Sequence, residues 1–153
     1  MSEQQPPAVT DAFSIRHAEN EKEVLRCHPL MRQLRPRLGS AEEFLQRWHS
    51  QARGGYRLLV RWLGAEPVAL AGYRLTESLI HGRHLYVDDL VSEATTRGQG
   101  HGAELLRYLK AEARDRGCEQ LVLDSGLSNV LAHRFYYREG LLGEALHFSM
   151  NLS

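Results

Sequence analysis

The chain offers no charge excess to a polyanion: 19 Lys and Arg stand against 19 Asp and Glu. Binding to nucleic-acid phosphates draws on a basic surplus or stripe, so a nucleic-acid partner is not expected. Cysteine is scarce. Cys27 and Cys118 lie far apart without CxxC spacing, which suits small buried side chains in a reducing cytoplasm better than a disulfide framework. The eight histidines form no HExxH and no Cys/His cluster, so no metal site is expected. No apolar run reaches bilayer length, so no membrane partner is expected either. The opening MSEQQPPAVTD has neither a basic start nor an apolar centre. It does not read as an export signal. Residues 1–12 are expected to be a disordered lead-in, and residues 13–153 one cytoplasmic domain. Two catalytic signatures are missing as well: the P-loop's GxxxxGK before Ser or Thr, and the GxSxG nucleophile elbow.

What is present is a mixed α/β pattern. FSIR (13–16) reads as a short strand. Asn20 with Glu23, and Ser40 with Glu43, are spaced as capping boxes and open two helices. Pro29 interrupts the first, and Gly54 and Gly55 stop the second. Residues 56–62 and 68–75 read as apolar strands joined by a hairpin sequence, LGAEP, and residues 84–91 as a third strand. Leu105, Leu106, Leu109 and Ala113 share one face of a helix over 103–116. QLVLD (120–124) has the apolar run of a strand buried on both faces. Ser128 or Asn129 caps a further helix that ends near Gly140. In 145–152, Leu146, Phe148, Met150 and Leu152 alternate with polar residues, which predicts a final strand with those four inward. The order is β, α, α, β, β, β, glycine loop, α, β, α, β, a mixed α/β domain.

The glycine loop is the informative stretch. TTRGQGHGAELL (95–106) sets Gly98, Gly100 and Gly102 at every second position and runs straight into a helix. The first amides of a helix lack internal partners and sit at the positive end of its dipole, so such a junction takes anions. Glycine removes Cβ atoms that would hold a phosphate off, and Arg97 adds a guanidinium fork. Gly98, Gly100 and Ala103 formally match a dinucleotide fingerprint. The strand should then end at the first glycine, yet SEATTR intervenes, and the remaining chain is too short for a doubly wound sheet.

Arg97-Gly98-Gln99-Gly100-His101-Gly102 resembles the acyl-CoA loop of the GNAT (Gcn5-related N-acetyltransferase) superfamily: Gln or Arg, two residues, Gly, one residue, then Gly or Ala. NVLAHRFYYREGLL resembles that family's second segment, through Asn129, Ala132, Tyr136 and Gly140, with Leu141 where Phe is usual. The resemblance covers about residues 13–152 and implies a mostly antiparallel sheet with a splayed parallel pair, flanked by helices. It implies transfer of an acetyl group from acetyl-CoA to a primary amine, with a homodimer as the common assembly. By the same resemblance, residues 97–102 hold the pyrophosphate of coenzyme A. The backbone at Leu90 and Val91 pairs with the pantetheine arm, Asn129 meets that arm, and Tyr136 protonates the departing thiolate.

The amine must lose a proton before it attacks. His84 lies where some relatives carry a glutamate base, and an imidazole suits that task. Asp88 is the other catalytic candidate beside His84; alternatively, Asp88 and Asp89 bind a cationic substrate or bond to neighbouring loop amides. Strict alternation puts His84, Tyr86, Asp88 and Leu90 on one face and Leu85, Val87, Asp89 and Val91 on the other. Relatives often carry a bulge here, which would shift the faces. A small-molecule amine is the expected acceptor. A protein lysine or N-terminus, or a non-enzymatic acyl-CoA-binding module, is the alternative.

Overall fold

The computed structural model describes residues 12–153; the expected lead-in lies, but for its last residue, outside them. The elements are β1 (Phe13–His17), α1 (Glu21–Arg26), α2 (His28–Leu34), α3 (Ala41–Ala52), β2 (Arg57–Leu63), β3 (Glu66–Ser78) and β4 (Gly82–Ser92). A short 3-10 turn, Ala94–Thr96, is followed by α4 (His101–Asp115), β5 (Gln120–Leu123) and α5 (Val130–Arg138). Both capping boxes form at their serine or asparagine. Asn20 Oδ1 accepts the Glu23 N–H at 2.9 Å, and Ser40 Oγ accepts the Glu43 N–H at 3.1 Å. Pro29 does not merely end α1. It sits in the first turn of α2, where its missing N–H would have had no partner.

The five strands lie in the order β1-β2-β3-β4-β5. The first four are antiparallel neighbours, and β5 runs parallel to β4. Helices cover both faces. Val24, Leu30, Met31 and Phe44 of α1–α3 pack with Leu58, Val60 and Leu70. Leu105, Leu106 and Leu109 of α4 pack with Leu59, Ala71 and Leu85 on the opposite face. Cys27, between α1 and α2, is fully buried in the first layer, and desolvation pushes its thiol up to about 12.

One irregularity in β4 decides what each face carries. Gly72 of β3 pairs with Asp89, and the next residue, Tyr73, pairs with Val87. Asp88 is therefore an extra residue without an opposite number, a β-bulge. Strict alternation fails there. Asp89 bonds to Tyr56 and Arg35, Asp88 bonds to Arg74, and Val91 packs in the α1–α3 layer. Both carboxylates thus face the same helices, while Leu90 packs on the α4 side.

Gly72 makes this possible. A Cβ on Gly72 would lie 1.9 Å from the Tyr56 hydroxyl oxygen. That hydroxyl crosses the glycine to donate to Asp89 Oδ2 at 2.8 Å.

Two expectations fail in the last third of the chain. Residues 141–153 form no strand, and Leu146, Phe148, Met150 and Leu152 are exposed rather than inward. Their alternation is real, but among the described residues no strand lies alongside them. β5 is likewise only half-buried, because it is the edge of the sheet and not an interior strand.

Two consequences can be measured. Gly72→Ala forces Tyr56 aside and should cost about 1–3 kcal/mol in urea denaturation, the usual range for overpacking. The second concerns His17, whose Nε2 lies 2.8 Å from the Tyr73 hydroxyl. Burial, above all, holds its imidazole below the ordinary 6.5. The unfolded chain therefore binds more protons there than the folded one, and stability rises with pH. This contribution is complete above about pH 6.5 and is lost as pH falls from there through the lowered value of the folded state. Thermal melts should show Tm dropping on the acid side, with a shallower drop in His17→Gln.

Candidate active site

The parallel pairing of β4 and β5 runs from His84↔Gln120 to Val87↔Leu123 and stops. β4 continues to Ser92. From Asp88 onward, the edge of β4 that faced β5 has no strand of the described residues beside it, so main-chain donors and acceptors lie open there. Leu90 and Val91 fall on this stretch.

The glycine loop follows directly. Gly98 and Gly100 have φ of +88° and +83°, and a Cβ on either would meet nothing within 4 Å. Their left-handed backbone, which other residues rarely adopt, turns the chain into α4 while leaving the approach clear. Gly100 is the N-cap, no side chain caps this end, and the first helical bond is Glu104 N–H to the Gly100 carbonyl at 3.1 Å. The amides of His101, Gly102 and Ala103 are therefore presented outward at the helix's positive end. Arg97 and Gln99 are exposed beside them.

Gly102 has a different task from the other two. Its Cβ would lie 3.4 Å from Phe135 Cζ and 3.6 Å from Ser92 Oγ. The first turn of α4, the end of β4 and helix α5 meet at this point. His101 turns its ring inward: it is buried, receives a hydrogen bond from Arg61 Nε at 3.1 Å and packs against Phe13. What it presents to the loop is its main chain.

On α5, Asn129 is the N-cap, with Oδ1 accepting the Ala132 N–H at 3.4 Å. Tyr136 lies next to Phe135, is half-buried, and its hydroxyl bonds to no other described residue. Burial raises the phenol above its ordinary value, so the hydroxyl keeps its proton at neutral pH.

The two proposed bases sit differently. His84 is buried, and its Nδ1 lies 3.0 Å from the Gly82 carbonyl oxygen. A carbonyl only accepts, so Nδ1 carries the proton. Its ring packs on His81, and His84 lies four residues back along β4 from the bulge, about 13 Å at strand rise. Asp88 stands at the bulge itself. Burial raises its carboxyl, against the opposing pull of Arg74, whose Nε bonds Oδ2 at 3.0 Å.

Sequence reasoning missed one string of polar groups. The Tyr86 hydroxyl donates to Asp124 Oδ2 at 2.5 Å, and His147 Nδ1 lies 3.1 Å from the same oxygen. Burial, with that carboxylate behind it, pushes the Tyr86 phenol up. Nothing local in the sequence joins these three residues: the parallel register that sets Tyr86 opposite Val122 brings Tyr86 to Asp124, and the irregular segment after α5 brings His147.

A family model described as the acetyltransferase (GNAT) family matches residues 19–141. An uncharacterized N-acetyltransferase of Bacillus subtilis (strain 168), YhdJ, is 33% identical over 123 residues, 80% of this chain and 86% of that protein. An aminoalkylphosphonate N-acetyltransferase of Salmonella typhimurium is 33% identical over 98 residues, 63% of this chain and 62% of that protein. Among solved structures, the aminoglycoside N-acetyltransferase AAC(6')-Iy in complex with CoA superposes with a TM-score of 0.79. Its identity is 14%, and the match covers 92% of this chain and 95% of that one, a likeness of fold.

The loop's role in holding an anionic cofactor can be tested by Gly100→Asp. Aspartate tolerates left-handed backbone better than most residues, so the far-UV spectrum should be unchanged. Its charge would sit at the anion position, and a like charge at about 4 Å costs about 1–4 kcal/mol. Calorimetric titration with acetyl-CoA should show affinity lowered at least about tenfold.

Proposed function

The chain belongs to the GNAT acetyltransferase family, and from that footing we propose that it acetylates a primary amine of a small molecule. One observation carries the reading. An uncapped helix N-terminus behind two left-handed glycines adjoins a stretch of β4 that has lost its neighbouring strand. A diphosphate fits the first feature, and an extended amide-bearing arm fits the second. Coenzyme A has both, joined in that order, and its acetyl thioester supplies the acyl group.

In this reading, the main chain of residues 98–102, with Arg97 and Gln99, would hold the diphosphate. Leu90 and Val91 would bond the pantetheine arm through their backbone, with Asn129 on its other side. Main-chain N–H groups on the open edge of β4 would also stabilise charge developing on the carbonyl oxygen. Tyr136, kept protonated by burial, would donate to the departing sulfur.

The amine's proton is assigned to Asp88 and not to His84. Asp88 lies where β4 and β5 part, and Arg74 holds only its Oδ2. His84 is shut in behind Gly82 and His81. Asp89 is already committed to Tyr56 and Arg35, so it shapes the acceptor face without receiving a proton.

The acceptor class follows from the relatives, whose names specify aminoalkylphosphonates and aminoglycosides. Both classes are amines of low molecular weight. The protein is proposed to work in the cytoplasm as a homodimer, without nucleic acid, membrane or metal.

The reaction is tested by thiol release from acetyl-CoA against a panel of small amines, lysine peptides and N-terminal peptides. Turnover with small amines is expected. Turnover with peptides alone would reassign the acceptor, and none with any amine would leave a binding module. Tyr136→Phe should lower kcat by about 10²-fold, the lower end of general-acid effects, because a thiol of pKa about 8.5 leaves tolerably unaided. The KM for acetyl-CoA should stay unchanged.

A further inference from the structure

Two carboxylates and two guanidiniums meet at the bulge, and their bonds do not use them up. Arg35, the residue that ends α2, lays Nε and Nη2 on Asp89 Oδ1, each at 3.0 Å. Its Nη2 also donates to the Asp88 carbonyl oxygen at 2.8 Å. Arg74 of β3 donates from Nε to Asp88 Oδ2 at 3.0 Å and from Nη2 to the Gln51 side-chain oxygen at 3.1 Å. A guanidinium has more N–H groups than either arginine spends here. Among the described residues, Nη1 of both arginines is uncommitted, and so is Asp88 Oδ1.

The cluster borders the parting of β4 and β5. Burial and Asp124 push the Tyr86 phenol up; Asp88 raises it further, and Arg35 opposes them. Asp88 and Arg35 therefore both lie within charge range of the end of β5, where Tyr86 meets Asp124. The Arg35 side chain is 53% exposed, so its spare donors reach solvent. Arg74 is steadied from the other side, with Cζ 5.7 Å from the centre of the Tyr56 ring. The formal charges of the two acids and two arginines cancel. A ligand with several ammonium groups and no anion would find these carboxylates already countered and two guanidiniums repelling it. A ligand with an ammonium for Asp88 Oδ1 and an acid for the spare Nη1 donors is matched in sign at both ends.

We infer that Arg35 and Arg74 form an anion subsite, and that the acceptor is a short amine carrying an acidic group: a phosphonate, a sulfonate or a carboxylate. The inference rests on the acyl-transfer reading and narrows its acceptor. Amine and acid must lie close together in the ligand, because both guanidiniums bond to Asp88 itself, one at its side chain and one at its main chain. The ammonium gives its proton to Asp88, and the freed amine attacks the thioester carbonyl carbon. The N–C bond forms as the C–S bond breaks, and the sulfur leaves with the Tyr136 proton. Throughout, the acid stays on the arginines and holds the nitrogen in line.

The test sets 2-aminoethylphosphonate, taurine and β-alanine against propylamine, which lacks the acid, and spermidine, a polycation, all with the full chain. At least one acidic amine should exceed propylamine in kcat/KM by about tenfold or more, the worth of a charge-assisted hydrogen bond. Spermidine should rank lowest. Which acidic amine leads tells a tetrahedral acid from a planar one. Arg35→Gln should raise the KM for that amine more than it lowers kcat, and bring its ratio to propylamine close to one; Arg74→Gln should act in the same direction. Propylamine or spermidine turned over as efficiently as every acidic amine, or a ratio that survives both substitutions, would overturn the proposal and leave acyl transfer standing. Thermal melts with the same compounds and coenzyme A read binding without transfer. If no amine is acetylated, the acyl-transfer reading fails and the melts decide. A rise in Tm given by acidic amines alone, and abolished by Arg35→Gln, upholds the subsite; no such rise overturns it.

Discussion

The site depends on one mismatch of length. β5 ends at Leu123, while its neighbour β4 runs on to Ser92. A sheet whose strands stayed in step would satisfy its own backbone throughout and leave nothing to offer a ligand. Here, hydrogen-bonding capacity that folding would ordinarily consume is left over on β4. The loop after β4 adds a second unspent set at the start of α4. The two sets lie in sequence along the same chain, and the meeting of Ser92, Gly102 and Phe135 fixes their relation in space.

The bulge at Asp88 is the second constraint, and it acts through charge. Without it, the two neighbouring carboxylates would point to opposite faces. With it, both enter one layer, and two arginines from different elements are drawn in: Arg35 from the end of α2, and Arg74 from β3. Tyr56 completes the arrangement by reaching over Gly72. Partners divide the two acids into different roles. Asp89 is held by a phenol and a guanidinium, whereas Asp88 is held at one oxygen and remains partly desolvated.

Much of this was legible in the sequence, and the reasons differ by element. Local rules served well where the deciding contact is local. The boxes at Asn20 and Ser40, the LGAEP hairpin and the α4 stripe all act within a few residues. The glycine loop was legible because positive φ and the absence of Cβ leave a compositional trace. The bulge was foreseen only as a possibility, since its position depends on the register with β3. The string Tyr86–Asp124–His147 depends on a parallel pairing and on the path of the chain after α5, and it left no trace at all. The failure at 145–152 is of another kind. Alternation reports that a segment has two unlike faces; it does not report which chain supplies the neighbour.

The buried cysteine between α1 and α2 has a practical corollary. A thiol is nucleophilic only as thiolate, and Cys27, held to about 12, is almost wholly protonated at any pH the fold would meet. It should therefore stay silent toward alkylating agents and mild oxidants for as long as the α1–α3 layer is closed. Its sudden reactivity would mark the moment that this layer, and with it the acidic face of β4, comes apart.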